Sequence, residues 1–277
     1  MIKKLIACIA ISLMLVTAQC QMLKTPQPSP GQTIKQDFGI SSVELTYSRP
    51  GIKGRKIFGD LVPYGKVWRT GANSATHLKF GDDVTIGGQP LKAGEYVLYT
   101  IPNPGEWDVI INKGVNNWGT EYKQEEDAVR FKVRSMTMDE PMETFTMQFA
   151  NVKPGSMELH IMWDKTAIAI PIETDVDKKV MAQINDVMTK DMHPYFQAAM
   201  YYLESGKDLN QALIWFNKAI EQNPNAYWVY HQKANTLARL GKKEEARTTA
   251  QKSMELAKAD KNDDYVKLNE QLLDQLK

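Results

Sequence analysis

The stretch Ser48–Thr76, SRPGIKGRKIFGDLVPYGKVWRTGANSAT, decides how this chain is organised. Its five glycines indicate a backbone that turns often, with positive φ at several positions. A disordered linker would not also contain Phe58, Tyr64 and Trp68, which must be buried somewhere. The stretch therefore predicts an ordered, tightly turned loop that presents three arginines and Asn73.

The arginines give this loop a possible anion site. If two or three of their side chains converge, they form a fork suited to carboxylate, phosphate or sulfate, and the backbone N–H groups of residues 71–73 can add donors. The alternative is that they pair with carboxylates and brace the loops. The carboxylates considered for that role are Asp60, Glu44 and Glu95. The candidate ligand-binding residues are Arg49, Arg55, Trp68, Arg69, Asn73, Thr76 and His77.

Around this loop, residues 32–174 alternate between apolar and polar side chains, the pattern of half-buried strands. Nine or ten short strands with frequent turns predict an all-β domain, an antiparallel β-sandwich or barrel. The turn signals are Gly81-Asp82, Gly87-Gly88, Pro104-Gly105, Pro154-Gly155 and Asp164-Lys165.

Residues 175–277 change to helical spacing and contain an internal repeat with an offset of 34 residues. Ala212, Phe216 and Ala219 correspond to residues 246, 250 and 253 in the second copy, and Pro224 follows the first. This pattern resembles the tetratricopeptide repeat, with copies at about 193–226 and 227–260. Because two copies are fewer than the three usually needed, a flanking helix or the β domain must cap them.

The N-terminus has the pattern of an export signal. Residues 1–20 place two lysines before an apolar run that is too short to span a membrane. Cleavage could follow Ala18 or Cys20; a lipid anchor at Cys20 is less favoured because Gln19 is not small. A proline-rich tail, 21–31, follows, and the body after it contains no cysteine. We expect a periplasmic or extracellular protein with no transmembrane segment in the mature chain.

The arginine-rich stretch, followed by LKAGEYVLYTIP and WDVIIN, resembles the secreted bacterial family called domain of unknown function 2911, common in Bacteroidetes. The resemblance covers about Gln32 to Thr174. The resemblance implies the β fold and the exported location predicted above. It identifies no catalytic residues, because the family has no established activity.

The remaining motifs do not define an enzyme. The four histidines lack the spacing of metal ligands. The net charge of +1 does not favour binding to nucleic acid. No motif implies a cofactor. Ser74 lies three residues before His77, but neither a G-x-S-x-G motif nor a phosphate loop is present. Four aromatic residues could form a platform for a sugar ring, although core packing is the commoner role. They are Tyr64, Trp68, Trp107 and Trp118.

The resulting hypothesis is a secreted binding or scaffold protein of the cell envelope. The β domain would bind an anionic or polar ligand or a glycan, and the repeats would bind a protein or peptide. The alternative is a hydrolase acting on an envelope polymer. The candidate partner-binding residues are Gln197, Tyr201, Tyr230, Asn235 and Arg239.

Overall fold

The computed structural model describes residues 25–116, 121–190 and 193–277. These residues fall into two compact units, the first ending at Val176 and the second comprising Asp177–Lys277. The predicted signal peptide and Trp118 lie outside the described residues.

The first unit is one antiparallel sheet of nine described strands, in the order β1-β2-β3-β6-β7-β8-β9-β4-β5. The sheet is not closed into a barrel, and β1 and β5 form its edges. The strands are β1 Gly31–Phe38, β2 Ser41–Ser48, β3 Thr76–Phe80, β4 Val84–Ile86, β5 Gln89–Leu91, β6 Gly94–Ile101, β7 Glu106–Asn112, β8 Asp127–Ala150 and β9 Ser156–Glu173. This confirms the predicted antiparallel β unit.

The alternating pattern correctly identified the buried face. Val43, Leu45 and Tyr47 of β2 are buried, and they belong to one core cluster with residues of β8 and β9. The Tyr47 hydroxyl donates to the Met147 carbonyl (3.1 Å) and accepts from the Met147 N–H (2.9 Å), which joins β2 directly to the far half of β8. The sheet therefore folds over so that its inner surface encloses the core.

The strands β8 and β9 are longer than predicted. The turn expected at Asp164-Lys165 is wrong, because β9 runs through both residues. Asp164 has a φ of +51° and lies where the β8–β9 register shifts opposite Met142. An aspartate tolerates this left-handed conformation, so the sequence signal for a turn marks a bulge here.

The second unit consists of antiparallel helical hairpins, as predicted. Its six helices within the described residues are α1 Val176–Met188, α2 Tyr195–Glu204, α3 Leu209–Gln222, α4 Tyr227–Arg239, α5 Lys243–Ala259 and α6 Asp263–Gln275. Ala212 and Ala246 are fully buried where α2 meets α3 and α4 meets α5. These small side chains let the paired helices approach closely. Leu272 and Leu276 bring α6 into the core of the second hairpin.

We predict that residues 32–174 fold without the helical region. Every member of the largest core cluster lies between Ile34 and Ile172, so the apolar burial that stabilises the sheet is contained in this segment. Thermal unfolding followed by circular dichroism should give a cooperative transition with a β-type spectrum. An unfolded segment would show that the domain boundary near Thr174 is misplaced.

Candidate functional site

The arginine-rich stretch forms an ordered connection between β2 and β3, which we call the arginine loop (residues 49–75). Its first part pairs with β8: the Ile52 N–H donates to the Glu143 carbonyl and the Phe145 N–H donates to the Pro50 carbonyl, both at 2.8 Å. Its last part pairs with β6 through two backbone hydrogen bonds between Trp68 and Thr100. The loop is thus anchored at both ends by strand-like pairing.

Two of the three arginines brace this loop. Arg49 donates from Nε to the Phe145 carbonyl (3.2 Å) and from Nη2 to Thr146 Oγ1 (2.9 Å). Arg55 donates from Nε to the Ile52 carbonyl (3.0 Å) and from Nη2 to the Gly51 carbonyl (2.6 Å). Each guanidinium already uses two nitrogen atoms within the protein, on different acceptors. The structure supports the bracing interpretation, with carbonyl and hydroxyl acceptors in place of the expected carboxylates.

The third arginine differs from these two. The Nε atom of Arg69 is buried and has no hydrogen-bond partner among the described residues. Arg49 and Arg55 donate to separate acceptors within the protein, and a shared anion site of the three arginines stays a prediction.

Two further candidates support the loop from inside, and a third, Asn73, holds it from its exposed side. Trp68 and Thr76 are buried, and the Thr76 hydroxyl donates to the Thr70 carbonyl (2.6 Å). Asn73, with a φ of +56°, donates from Nδ2 to the Ser29 carbonyl (3.1 Å) and to Ser48 Oγ (3.3 Å). A ligand in solvent would not reach the Trp68 ring or the Thr76 hydroxyl in this arrangement.

His77 is the candidate that lines an open groove. It lines a groove of about 470 Å³ on the outer side of the sheet, which we call the His77 groove. The lining residues are Gly31, Glu44, Thr46, Tyr47, Ser48, Ser74, Ala75, His77, Lys79 and Glu95. Burial raises the pKa of Tyr47, so its phenol stays protonated at neutral pH.

The charged groups of the groove are set by strand register. Lys79 of β3 lies opposite Glu44 on β2 and opposite Glu95 on β6. His77 Nδ1 lies 3.0 Å from Glu95 Oε1. The groove therefore carries two carboxylates, one ammonium group and one imidazole, which suits a polar or cationic group better than an anion.

The same groove contains part of a hydrolytic constellation. A carboxylate oriented on an imidazole is one half of a serine triad, and Ser74 lines the groove with them. Within the described residues, however, no hydrogen bond joins Ser74 to His77. Sequence reasoning identified Ser74 and His77 but missed Glu95 as the partner, because pairing of β3 with β6 is not visible in local spacing.

The candidate partner-binding residues of the helical unit divide into two groups. Tyr201 donates to Asp177 Oδ1 (2.8 Å), and Arg239 donates to the Leu203 carbonyl at the end of α2 (2.9 Å). These two residues hold helices together. Gln197 is exposed, while Tyr230 and Asn235 are half-buried, with Asn235 directed to Gln232 on its own helix.

Asp177 is the best-partnered acid of this unit. Lys207 and Tyr201 both donate to it, and these hydrogen bonds lower the pKa of the Asp177 carboxyl below its usual range. Its side chain is exposed, and it links α1 to the following hairpin through these two partners.

The described residues contain neither a metal-binding cluster nor a membrane-spanning helix. Across the three described segments, no cluster of three or more His, Cys, Asp or Glu side chains could hold a metal ion. The described helices also include none with the length and apolar content needed to cross a membrane.

Comparison with known proteins identifies both units. A family model described as "Protein of unknown function (DUF2911)" matches residues 29–172. Two tetratricopeptide-repeat models match residues 193–226 and 215–248, which confirms the predicted repeat region and the bounds of its first copy. The bounds predicted for the second copy, about 227–260, stay a prediction. A search of curated proteins finds no match.

We predict that Arg49→Ala destabilises the protein and that Arg55→Ala has a much smaller effect. Arg49 joins the loop to β8 through two hydrogen bonds at a partly buried position, so its loss should cost about 1–3 kcal/mol. Arg55 is exposed and bonds only within its own turn, which limits its effect to about 0.5 kcal/mol. Urea unfolding at constant m-value measures both, and equal losses would contradict the bracing role of Arg49.

Proposed function

The chain belongs to the family described as a protein of unknown function (DUF2911), and from this premise we propose that it is a binding and scaffold protein of the cell envelope. The observation that carries the proposal is the pair of tetratricopeptide repeats at residues 193–248. Stacked helical hairpins present an extended surface that commonly binds a protein or peptide. In this proposal the helical unit holds the protein partner and the β unit holds a small polar ligand.

Gln197 and Tyr230 are the residues we assign to the partner surface. Both lie on first helices of a hairpin, α2 and α4, and neither makes a side-chain hydrogen bond to another described residue. Tyr201 and Arg239 are assigned to internal support because of the bonds described above. An aromatic ring and an amide supply the mixed contacts that suit an extended peptide.

The His77 groove is the ligand site that we assign to the β unit. Its two carboxylates favour the polar ligands of the original hypothesis over the anionic ones. Export to the envelope is proposed from the sequence of residues 1–20, and a lipid anchor at Cys20 remains the less favoured form of it.

We expect the double variant Gln197→Ala/Tyr230→Ala to lose partner capture while its melting temperature stays nearly unchanged. Neither side chain is fully buried, so truncation should remove contacts to the partner more than contacts within the unit. Purified protein would be used to retain proteins from an envelope extract, with quantitative mass spectrometry as the readout.

The matched control for this experiment is Ile214→Ala. Ile214 is also accessible, at 49% exposure, but it lies on the second helix of its hairpin, α3. It should retain the same proteins as the wild type. If the double variant and the control capture identical proteins in identical amounts, the proposed partner surface is wrong.

A hydrolase is the second candidate, and the His77–Glu95 pair beside Ser74 is the observation that favours it. A nucleophilic serine needs its hydroxyl within hydrogen-bond reach of the base, and Ser74 lacks that contact. We therefore expect no labelling of the protein by a fluorophosphonate probe. Labelling that disappears in both Ser74→Ala and His77→Ala would replace the binding proposal for the β unit with a serine hydrolase.

A further inference from the structure

A smaller cavity is lined by residues of the arginine loop, of the turn between β6 and β7, and of β7, β8 and β9, and it shares no lining residue with the His77 groove. Its volume is about 230 Å³, below the roughly 300 Å³ at which pockets begin to accept drug-sized molecules. We call it the Tyr64 pocket. The lining residues are Phe58, Tyr64, Asn103, Pro104, Gly105, Trp107, Ser135, Met136, Thr137 and Thr166.

The walls of the Tyr64 pocket are tied to each other by backbone hydrogen bonds. The Gly65 N–H donates to the Pro102 carbonyl, which joins the arginine loop to the turn between β6 and β7. The Ser135 N–H donates to the Gly105 carbonyl, which joins that turn to β8 (both 3.0 Å). A ligand would therefore find the cavity already formed, and its binding need not pay for ordering these segments.

The aromatic side of the pocket is also held in place. Gly59 has a φ of +84°, and a Cβ atom there would lie 2.7 Å from Tyr64 Cε2. Only glycine allows the Tyr64 ring to rest this closely on the loop backbone. Two other lining residues, Phe58 and Trp107, pack with ring centroids 5.0 Å apart. Tyr64 itself stays 43% exposed, so its ring is fixed and still accessible.

The polar side of the pocket is rich in uncharged hydrogen-bonding groups. Thr137 of β8 lies directly opposite Thr166 of β9, and both line the cavity with Ser135 and Asn103. None of these four side chains makes a hydrogen bond to another described residue. Three hydroxyls and one amide are thus free to donate to and accept from a ligand.

The charge of the pocket limits what it can hold. None of its ten lining residues is ionisable at neutral pH, in a chain of which 24% is charged. A charged ligand would lose hydration there without gaining a counter-charge, whereas an uncharged ligand would not. The His77 groove, with its two carboxylates, has the opposite character.

We propose that the Tyr64 pocket binds one uncharged sugar ring. The Tyr64 ring would cover the apolar C–H face of the pyranose, and the amide and hydroxyl groups of Asn103, Ser135, Thr137 and Thr166 would bond its hydroxyls. This inference rests on the proposed ligand-binding role of the β unit, names an uncharged glycan unit as a ligand, and places it at a site apart from the groove.

The experiment uses the full-length protein and a defined set of probes. Glucose, galactose, mannose and N-acetylglucosamine are the uncharged probes; glucuronate and glucosamine are the charged ones. Binding would be measured by saturation-transfer NMR and by titration of ¹⁵N-labelled protein. We expect at least one uncharged sugar to bind, to shift the backbone signals around residues 58–65 and 135–137, and to bind at least about tenfold more tightly than both charged analogues.

Variants connect the binding to the pocket. Tyr64→Ala should weaken it about tenfold, Tyr64→Phe should preserve it because the ring remains, and Thr137→Val should weaken it because a hydroxyl is lost at constant shape. Leu61→Ala is the matched control, since Leu61 is 45% exposed on the same loop and does not line the pocket. Near-ultraviolet circular dichroism would establish that every variant is folded.

Four results would overturn the proposal. They are no binding by any uncharged sugar, equal binding by a charged analogue, unchanged affinity in both Tyr64→Ala and Thr137→Val, and equal loss in Leu61→Ala. A negative result for sugar binding would not affect the proposed capture of a protein partner by the repeats, because Gln197 and Tyr230 belong to the other unit. Conversely, sugar binding that persists when capture is absent would reject the repeat surface alone.

Discussion

The β unit depends on the packing of Trp68 among aromatic rings from distant parts of the chain. The Trp68 ring stacks on Trp163 of β9, with centroids 5.9 Å apart and an interplanar angle of 16°. It also meets Phe145 of β8 at 5.2 Å, Phe58 at 6.2 Å and Trp107 of β7 at 6.3 Å. Replacing a buried aromatic side chain of this kind by alanine typically lowers the free energy of unfolding by about 3–5 kcal/mol. One side chain of the loop thereby joins three strands of the sheet.

This packing explains why the loop backbone is so restricted. The Trp68 indole donates from Nε1 to the Gly71 carbonyl (3.1 Å), so the chain must reverse within three residues. Thr70 has a φ of +54° and Gly71 a φ of +148°, and a Cβ on Gly71 would approach the Ser48 carbonyl oxygen to 3.2 Å. Glycine is therefore needed where the loop backbone adopts a left-handed conformation and packs closely against the rest of the unit. Arg49 and Arg55 stabilise the path of this backbone through their hydrogen bonds. The position of the loop also determines the surface features beside it, including the Tyr64 pocket.

Local patterns predicted the parts of this structure that depend on neighbours in sequence. The alternation of apolar and polar residues predicted which strand faces are buried, and the 34-residue offset predicted the helical hairpins. Pairing between strands that are distant in sequence cannot be predicted from local patterns. Glu95 was therefore missed as the partner of His77, and β8 and β9 were predicted as shorter strands. A guanidinium group can brace a loop or bind a ligand with the same hydrogen bonds, so local sequence does not separate the two roles. The acceptors of Arg49 and Arg55 in the folded chain support bracing.

The second repeat departs from the first at the positions that receive α6. Ser253 stands where the first copy has Ala219, and its hydroxyl donates to the Tyr227 carbonyl (2.7 Å) while accepting from Asn269 Nδ2 of α6 (2.9 Å). The oxygen of the same amide, Oδ1, lies 2.9 Å from Nδ1 of the buried His231 on α4. Buried polar groups that are all paired fix one register between helices, because any shift would leave them without partners. Ala250, where the first copy has Phe216, shares a core cluster with Leu272 of α6 and with Leu276, which follows α6 directly. Aliphatic side chains therefore pack where the first copy has an aromatic ring. The substitutions that weaken the repeat pattern in sequence are thus the ones that let a single helix cap a two-repeat array.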